Sequence, residues 1–241
     1  EFFPATVELA TASILITIVF GIILGILSAV HRNKFIDHVL RIFSILGVSM
    51  PVFWLGLLLL LVFYFHLEWF PGSGRHSLFV FPERITGLVL LDTLITRNWG
   101  AFLDALQHII LPAFVLGYAS VASVARIMRA SMLDVLHQDF IRTAKAKGLS
   151  KHIVIYRHAL KNALIPVVTV IGISFGSLLS GAVLTETVFS WPGVGRYVVQ
   201  GLLFLDYPAV VGGTLFIAFL YSIANLIVDI TYVVLDPRMH V

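Results

Sequence analysis

The pentapeptide "GISFG", Gly172 to Gly176, has the G-x-S-x-G spacing of a serine nucleophile and is the plainest opening for catalysis in the chain. That spacing works when a strained strand-to-helix turn lifts the serine clear of its surroundings. Ser174 instead sits inside an apolar run, where a nucleophile would need a histidine at the same depth. The nine histidines are His31, His38, His66, His76, His108, His137, His152, His158 and His240, and none falls mid-run. Metal-assisted hydrolysis fails as well, since there is no H-E-x-x-H and no two histidines stand four apart. Cysteine is absent, which excludes disulfides and thiolate-held metals. No G-x-x-x-x-G-K-[ST] occurs, so the chain has no P-loop of its own to cradle ATP. These residues point away from an enzyme, and energy for any uphill movement must come from elsewhere.

Ionisable residues inside apolar runs are the next candidates, because each costs a few kcal/mol there. Glu8, His108 and Glu186 stand at the ends of such runs, where snorkelling or the interface accounts for them. Asn225 and Asp229 lie four apart on one helix face, and either line a translocation path or mediate helix–helix contact. Gly172, Gly176 and Ser180 repeat at spacing four, a face that admits close approach by another helix.

These residues sit in a chain of 241 that is 59% hydrophobic and only 12% charged, about half the charge of a soluble domain. A membrane helix needs about 20 apolar residues. Five stretches qualify: Thr6–Val30, Leu40–Phe65 with Pro51 inside it, Ile109–Met128, Ala163–Thr185 and Val210–Leu235. One all-α membrane domain covering 1–241 is the simplest architecture. Outer loops fall at 66–108 and 186–209. Twelve of the 16 Lys and Arg lie in the 31–39 and 133–162 connections, the helix ends beside them and the tail (Arg238), against Arg75, Arg84, Arg97 and Arg196 elsewhere. This bias puts 133–162 and the C-terminus in the cytoplasm and Glu1 outside. Basic charge distributed this way sets topology and does not indicate nucleic acid. An odd number of spans, with Glu1 in place of Met, leads us to expect one further span ahead of this chain.

The connection 133–162 is more patterned than a solvated loop needs to be. Leu133, Leu136, Phe140 and Ala144 recur on one helical face, and Asp134, Gln138, Arg142 and Lys145 lie on the other. Gly148 stands where a helix C-terminus would put it, with Lys145 and Lys147 in the last turn. Ser150 can cap a second helix carrying Ile153, Tyr156, Leu160 and Leu164 up to Pro166. The expectation is two short amphipathic helices with a sharp turn at Gly148 and Leu149. Such a pair either lies on the lipid surface or offers a docking site to another protein.

"DFIRTAKAKGL…HALKNALIPVVTVIG" resembles the cytoplasmic coupling segment of binding-protein-dependent ABC importer permeases, most closely the dipeptide/oligopeptide/nickel group. "PATVELA", "GVSMPVFWLGLLL", "HIILPAFVLG", "RASMLDVLHQDF", "LTETVFSWPGVGRY", "DYP" and "LDPR" follow in the order seen in that family. "TGLVLLDTL" is similar to dipeptide permeases in particular. The resemblance implies a type I importer fold (MetI-like). It implies a second homologous permease, two cytoplasmic ATPase subunits that hold ATP and Mg, and an external binding protein, all within a bacterial cytoplasmic membrane.

On this resemblance the chain binds no cofactor and forms the path for di- or oligopeptides. Nickel chelates and haem are carried by systems of the same kind. The family's E-A-A-x-x-x-G pattern reads here as Arg142, Thr143, Ala144 and Gly148. Coupling to the ATPases is then expected at Asp139, Arg142, Thr143, Ala144, Lys147, Gly148 and Leu149. The segment 186–209 contains "SWPGVGR", where Pro192, Gly193 and Gly195 should interrupt any helix. Glu186, Trp191 and Gly193 are expected at an external gate, with Asn225 and Asp229 on the path. An ion-coupled secondary transporter would instead carry an internal repeat with matching broken spans, and none is evident. A purely structural membrane subunit is the third reading.

Overall fold

The computed structural model describes residues 2–80 and 82–235, with side chains throughout except at 179–181, 227–229 and 231–235. Every regular element among these residues is helical. The order is α1 (Phe2–Val30), α2 (Phe35–Ser49), α3 (Val52–Leu59), α4 (Val89–Ile95), α5 (Trp99–Leu136), α6 (Asp139–Ala146), α7 (Lys151–Ile153), α8 (Leu160–Val188), α9 (Val194–Leu203) and α10 (Tyr207–Leu235). Two π-helical stretches extend this set: Leu60–His66 continues α3, and Val154–Ala159 joins α7 to α8 without a gap. Four helices are long and apolar enough to cross a membrane, and the α2–α3 pair makes a fifth if counted as one span.

Three boundaries differ from the sequence expectation. The span Leu40–Phe65 is two helices, interrupted at Met50 and Pro51, because proline cannot donate the N–H that would continue α2. The third span begins at Trp99, ten residues before Ile109. Asn98 caps it, its Oδ1 accepting from Ala101 N–H at 3.1 Å, and this cap lies in a stretch that sequence alone leaves as loop. At 38 residues, α5 is about 57 Å long, far more than a bilayer core requires. Gly195, expected to interrupt a helix, lies in the first turn of α9.

The described chain divides into two compact units. One comprises 16–49 and 118–174. Its core gathers Ile26 and Ala29 of α1, Val124, Met128, Met132 and Val135 of α5, Ile141 and Ala144 of α6, and Val154, Ile155, Ala159, Ala163 and Val167 beyond the turn. Gly21 and Gly25 admit α5 so closely that a Cβ on Gly25 would sit 2.5 Å from Met128 Cβ. This small-residue step is a second one, besides the one read at Gly172 and Gly176.

The other unit comprises, among the described residues, 2–15, 50–80, 82–117 and 175–235. Phe189 and Trp191 are fully buried at its centre, and Gly56 of α3 meets Val188 and Phe189. The indole N–H of Trp191 donates to Ala5 O at 2.8 Å, so a large apolar body is buried with its one polar atom satisfied.

Candidate functional site

The turn after α6 forms by local chemistry. Lys147 ends the helix and Gly148 turns left-handed at φ +75°. Gly148 N–H donates to Lys145 O at 3.0 Å and Leu149 N–H to Ala144 O at 3.4 Å. These two bonds are a Schellman closure, which satisfies carbonyls that a helix end would otherwise leave bare. Ser150 then caps α7, accepting from Ile153 N–H.

The expected pair of short helices is corrected on both sides. Leu133 and Leu136 belong to the end of α5, the chain breaks at His137 and Gln138, and α6 is a separate eight-residue helix. Its buried face is Ile141 and Ala144, whereas Phe140 stays exposed. After the turn, α7 runs through its π-helical stretch into α8, so the second helix does not stop at Pro166 but carries it inside.

Of the seven residues expected to couple, Asp139, Arg142, Thr143, Lys147, Gly148 and Leu149 are exposed. Ala144 is not: its methyl packs inward and seats α6 on the core. Arg142, standing where the general family pattern has glutamate, reaches back to Asp139 at 3.3 Å, with both side chains largely in solvent. An ion pair so exposed leaves the guanidinium free to exchange partners.

The other unit holds a buried polar knot. Glu186, fully buried, accepts from Thr6 Oγ1 at 2.6 Å and from Arg196 N–H at 3.0 Å, and Thr6 Oγ1 in turn accepts from Val194 N–H at 2.9 Å. Glu8, also buried, accepts from Leu90 N–H at 2.7 Å and from both Nε and Nη2 of Arg75. Arg75 also donates to Gly87 O at 2.9 Å and lies 5.8 Å from the Trp191 ring centroid. His108 is also buried, with Nδ1 2.7 Å from Asp104 O, so Glu8, Glu186 and His108 are interior residues with partners and the snorkelling explanation for them does not hold. The hydroxyl of Thr185 is buried without a partner among the described residues.

Glu186, Trp191 and Gly193 lie together, with Trp191 N–H donating to Glu186 O at 2.8 Å. A Cβ on Gly193 would overlap the Glu186 carboxylate. Gly193→Ala should therefore lower stability by about 1–3 kcal/mol, read as a lower melting temperature in detergent. An unchanged melting temperature would show that the carboxylate can move aside. Asn225 lies elsewhere, against α8, with Oδ1 2.9 Å from the Cβ position of Gly176. That is the helix–helix contact weighed above. The Asp229 and Ser180 side chains lie outside the described residues, as do Arg238 and His240.

Asp92, buried in α4, organises the loop before it. It accepts from Thr86 Oγ1 at 2.6 Å and from the N–H groups of Ile85, Thr86 and Gly87 at 3.2, 2.8 and 2.9 Å. Burial pushes this carboxyl up, but those donors outweigh it and its pKa falls below the ordinary value. A depressed carboxylate contributes stability that is complete above the unfolded-state pKa, about 3.9, and is lost as pH falls through the lower folded value. Protection of the Ile85, Thr86 and Gly87 amides, taken relative to the intrinsic exchange rate at each pH, should hold at pH 5 and fall only below about 4. Asp92→Asn should remove that pH dependence, and dependence surviving in the variant would assign it to another group.

Sequence reasoning missed Asp37, whose side chain is fully buried. Arg129 Nε and Nη2 donate to its two oxygens at 2.8 and 2.9 Å, Ser28 Oγ donates at 2.5 Å and Asn33 N–H at 2.9 Å. The available signal was a lone acid three residues into an apolar helix, "FIDHVLRIF". Its partner is 92 positions away and was counted only as a topological charge.

Residues 21–241 match the family model described as "Binding-protein-dependent transport system inner membrane component". The chain is 49% identical over 239 residues to the probable D,D-dipeptide transport system permease protein of Escherichia coli strain K12, covering 99% of this chain and 70% of that one. It is 48% identical over 237 residues to the di/tripeptide transport system permease protein of Pseudomonas aeruginosa strain UCBPP-PA14, covering 98% and 70%. Among solved structures, an inward-facing form of the MetNI methionine ABC transporter superposes with a TM-score of 0.68 at 14% identity, covering 96% of this chain and 93% of that one. At that identity the likeness shows the fold, an all-α MetI-like permease. The family model over residues 21–241 and the relatives at 48–49% identity lead to one assignment: the chain belongs to the binding-protein-dependent transport system inner membrane components, the permeases of ABC importers.

Proposed function

We propose that residues 1–241 act as one permease domain that forms the translocation path for di- or oligopeptides and is driven by separate ATPase subunits. The observation that carries this reading is the α6–Gly148 turn, whose outer residues are exposed while Ile141 and Ala144 anchor it to a packed core. A lever needs that combination: a free contact surface and a rigid attachment. The peptide class rests on relatives named for dipeptide and di/tripeptide transport.

In this reading 133–162 faces the cytoplasm with the C-terminus, and Asp139 to Leu149 meets an ATPase. ATP binding on a partner pair, with Mg held there and no cofactor on this chain, moves the turn. Glu186, Trp191 and Gly193 shape the external mouth, and Asp229 belongs to the path, with Asn225 holding α10 against α8 one turn away. The partners are a second homologous permease, two ATPase subunits, an external binding protein and the lipid around them.

Affinity purification of the chain from its own membrane tests the reading. Nucleotide-hydrolysing subunits should accompany it, and ATPase activity should rise when loaded binding protein is added. A chain recovered without any ATPase would refute the assignment and favour an ion-coupled or structural subunit.

A further inference from the structure

In the unit formed by 16–49 and 118–174, a cavity of about 450 Å³ opens between α1, α2 and α5, and nothing described above uses it. Its polar lining is Arg41, Arg126 and Arg129 with Ser28, Ser44 and Ser49. Asp37 is the carboxylate beside them, and Arg129 engages both of its oxygens while Arg41 stands 4.0 Å away. Arg126 is exposed and has no ion pair among the described residues. Three guanidinium groups line the cavity and one carboxylate, paired with Arg129 and close to Arg41, stands beside it, which leaves a net excess of two positive charges.

The rest of the wall is apolar: Leu24, Leu40, Ile45 and Val48, with Ile45 and Val48 65% and 55% exposed. An occupant that satisfies both features is anionic at one end and hydrocarbon at the other. Guanidinium groups pair phosphate oxygens two at a time, which a cluster of arginines favours. A free phosphate would leave the apolar wall uncovered. A dipeptide brings an ammonium as well as a carboxylate, and Asp37 is already committed to Arg129. Basic pockets between membrane helices are a known setting for lipid phosphates.

We infer that this cavity seats the phosphate headgroup of an anionic phospholipid, held by Arg41 and Arg126, with an acyl chain along Leu40, Ile45 and Val48. The full-length protein, purified in detergent with its accompanying subunits, is mixed with phosphatidylglycerol or with phosphatidylcholine of the same chains. Bound lipid is then counted by native mass spectrometry. Retention of phosphatidylglycerol should exceed that of phosphatidylcholine by about thirtyfold for two arginines, and Arg41→Gln/Arg126→Gln should bring the ratio close to one. Arg126→Gln alone, at an exposed position, should lower it about fivefold and keeps the test open if the double variant does not fold. An unchanged ratio in these variants overturns the proposal. Equal thermal stabilisation by glycerol 3-phosphate would replace the lipid with a free phosphate, and displacement of the lipid by a dipeptide would make the cavity part of the path.

Discussion

A Gly148→Val chain is expected to reach the membrane at the normal level and to import nothing measurable. The reason is backbone geometry, because a Cβ at this position meets no atom within 4 Å. Gly148 holds φ +75°, where an L-residue pays about 1–2 kcal/mol and a β-branched one is worst placed. Relaxing that angle breaks the closure from Leu149 N–H to Ala144 O and redirects Leu149 and Lys147, which the proposed ATPase contact uses. Gly148→Asn is the control, since asparagine tolerates the left-handed region, and it should keep most of the transport. Import and stimulated ATPase activity, measured together in vesicles, decide the matter. Normal stimulation by the valine variant would remove the coupling role from this turn.

The largest loss of stability is expected at the buried ion pair. Arg129→Met leaves the Asp37 carboxylate, with its side chain wholly buried, without the cation that engages both of its oxygens, and with only the half-exposed Arg41 4.0 Å away. Removing one partner of a buried pair costs about 3–5 kcal/mol, because the charge left behind stays buried and is not resolvated. Ser28 Oγ and Asn33 N–H remain as donors, which is too little for a full charge. Asp37→Leu/Arg129→Met should be markedly more stable than Arg129→Met alone, because it removes the orphaned charge as well. Melting of the purified variants in detergent measures the cycle. If both variants melt together well below the wild type, packing around Arg129, and not its charge, holds this corner.

The same corner shows why function and stability must be read separately here. Arg129 secures Asp37 and also borders the basic cavity, whereas Arg41 and Arg126 border the cavity with no comparable structural duty. Lipid retention and melting temperature should therefore move apart in the two sets of variants. Their moving in step would mean that the cavity is only a by-product of the ion pair.

Much of this protein is legible in contiguous residues. Apolar length identified four of the spans and most of the fifth, since crossing a bilayer is a property of an unbroken run. Gly148 and Ser150 were legible as a stop and a start because caps close with neighbours three to five positions away. Tertiary structure decided what no local pattern encodes. Thr6 and Glu186 are 180 positions apart, Arg75 and Glu8 are 67 apart, and Arg129 and Asp37 are 92 apart. Glu8 and Glu186 read in sequence as isolated polar residues at the ends of apolar runs, and Asp37 gave no sign of a partner at all. Only folding supplies the partner that lets such a group be buried, because an unpaired charge would have stayed at the interface or been excluded. Ala144 makes the same point in the apolar direction. Its place in a coupling pattern implies contact with a partner, whereas its packing beside Ile141 holds the turn that makes the contact.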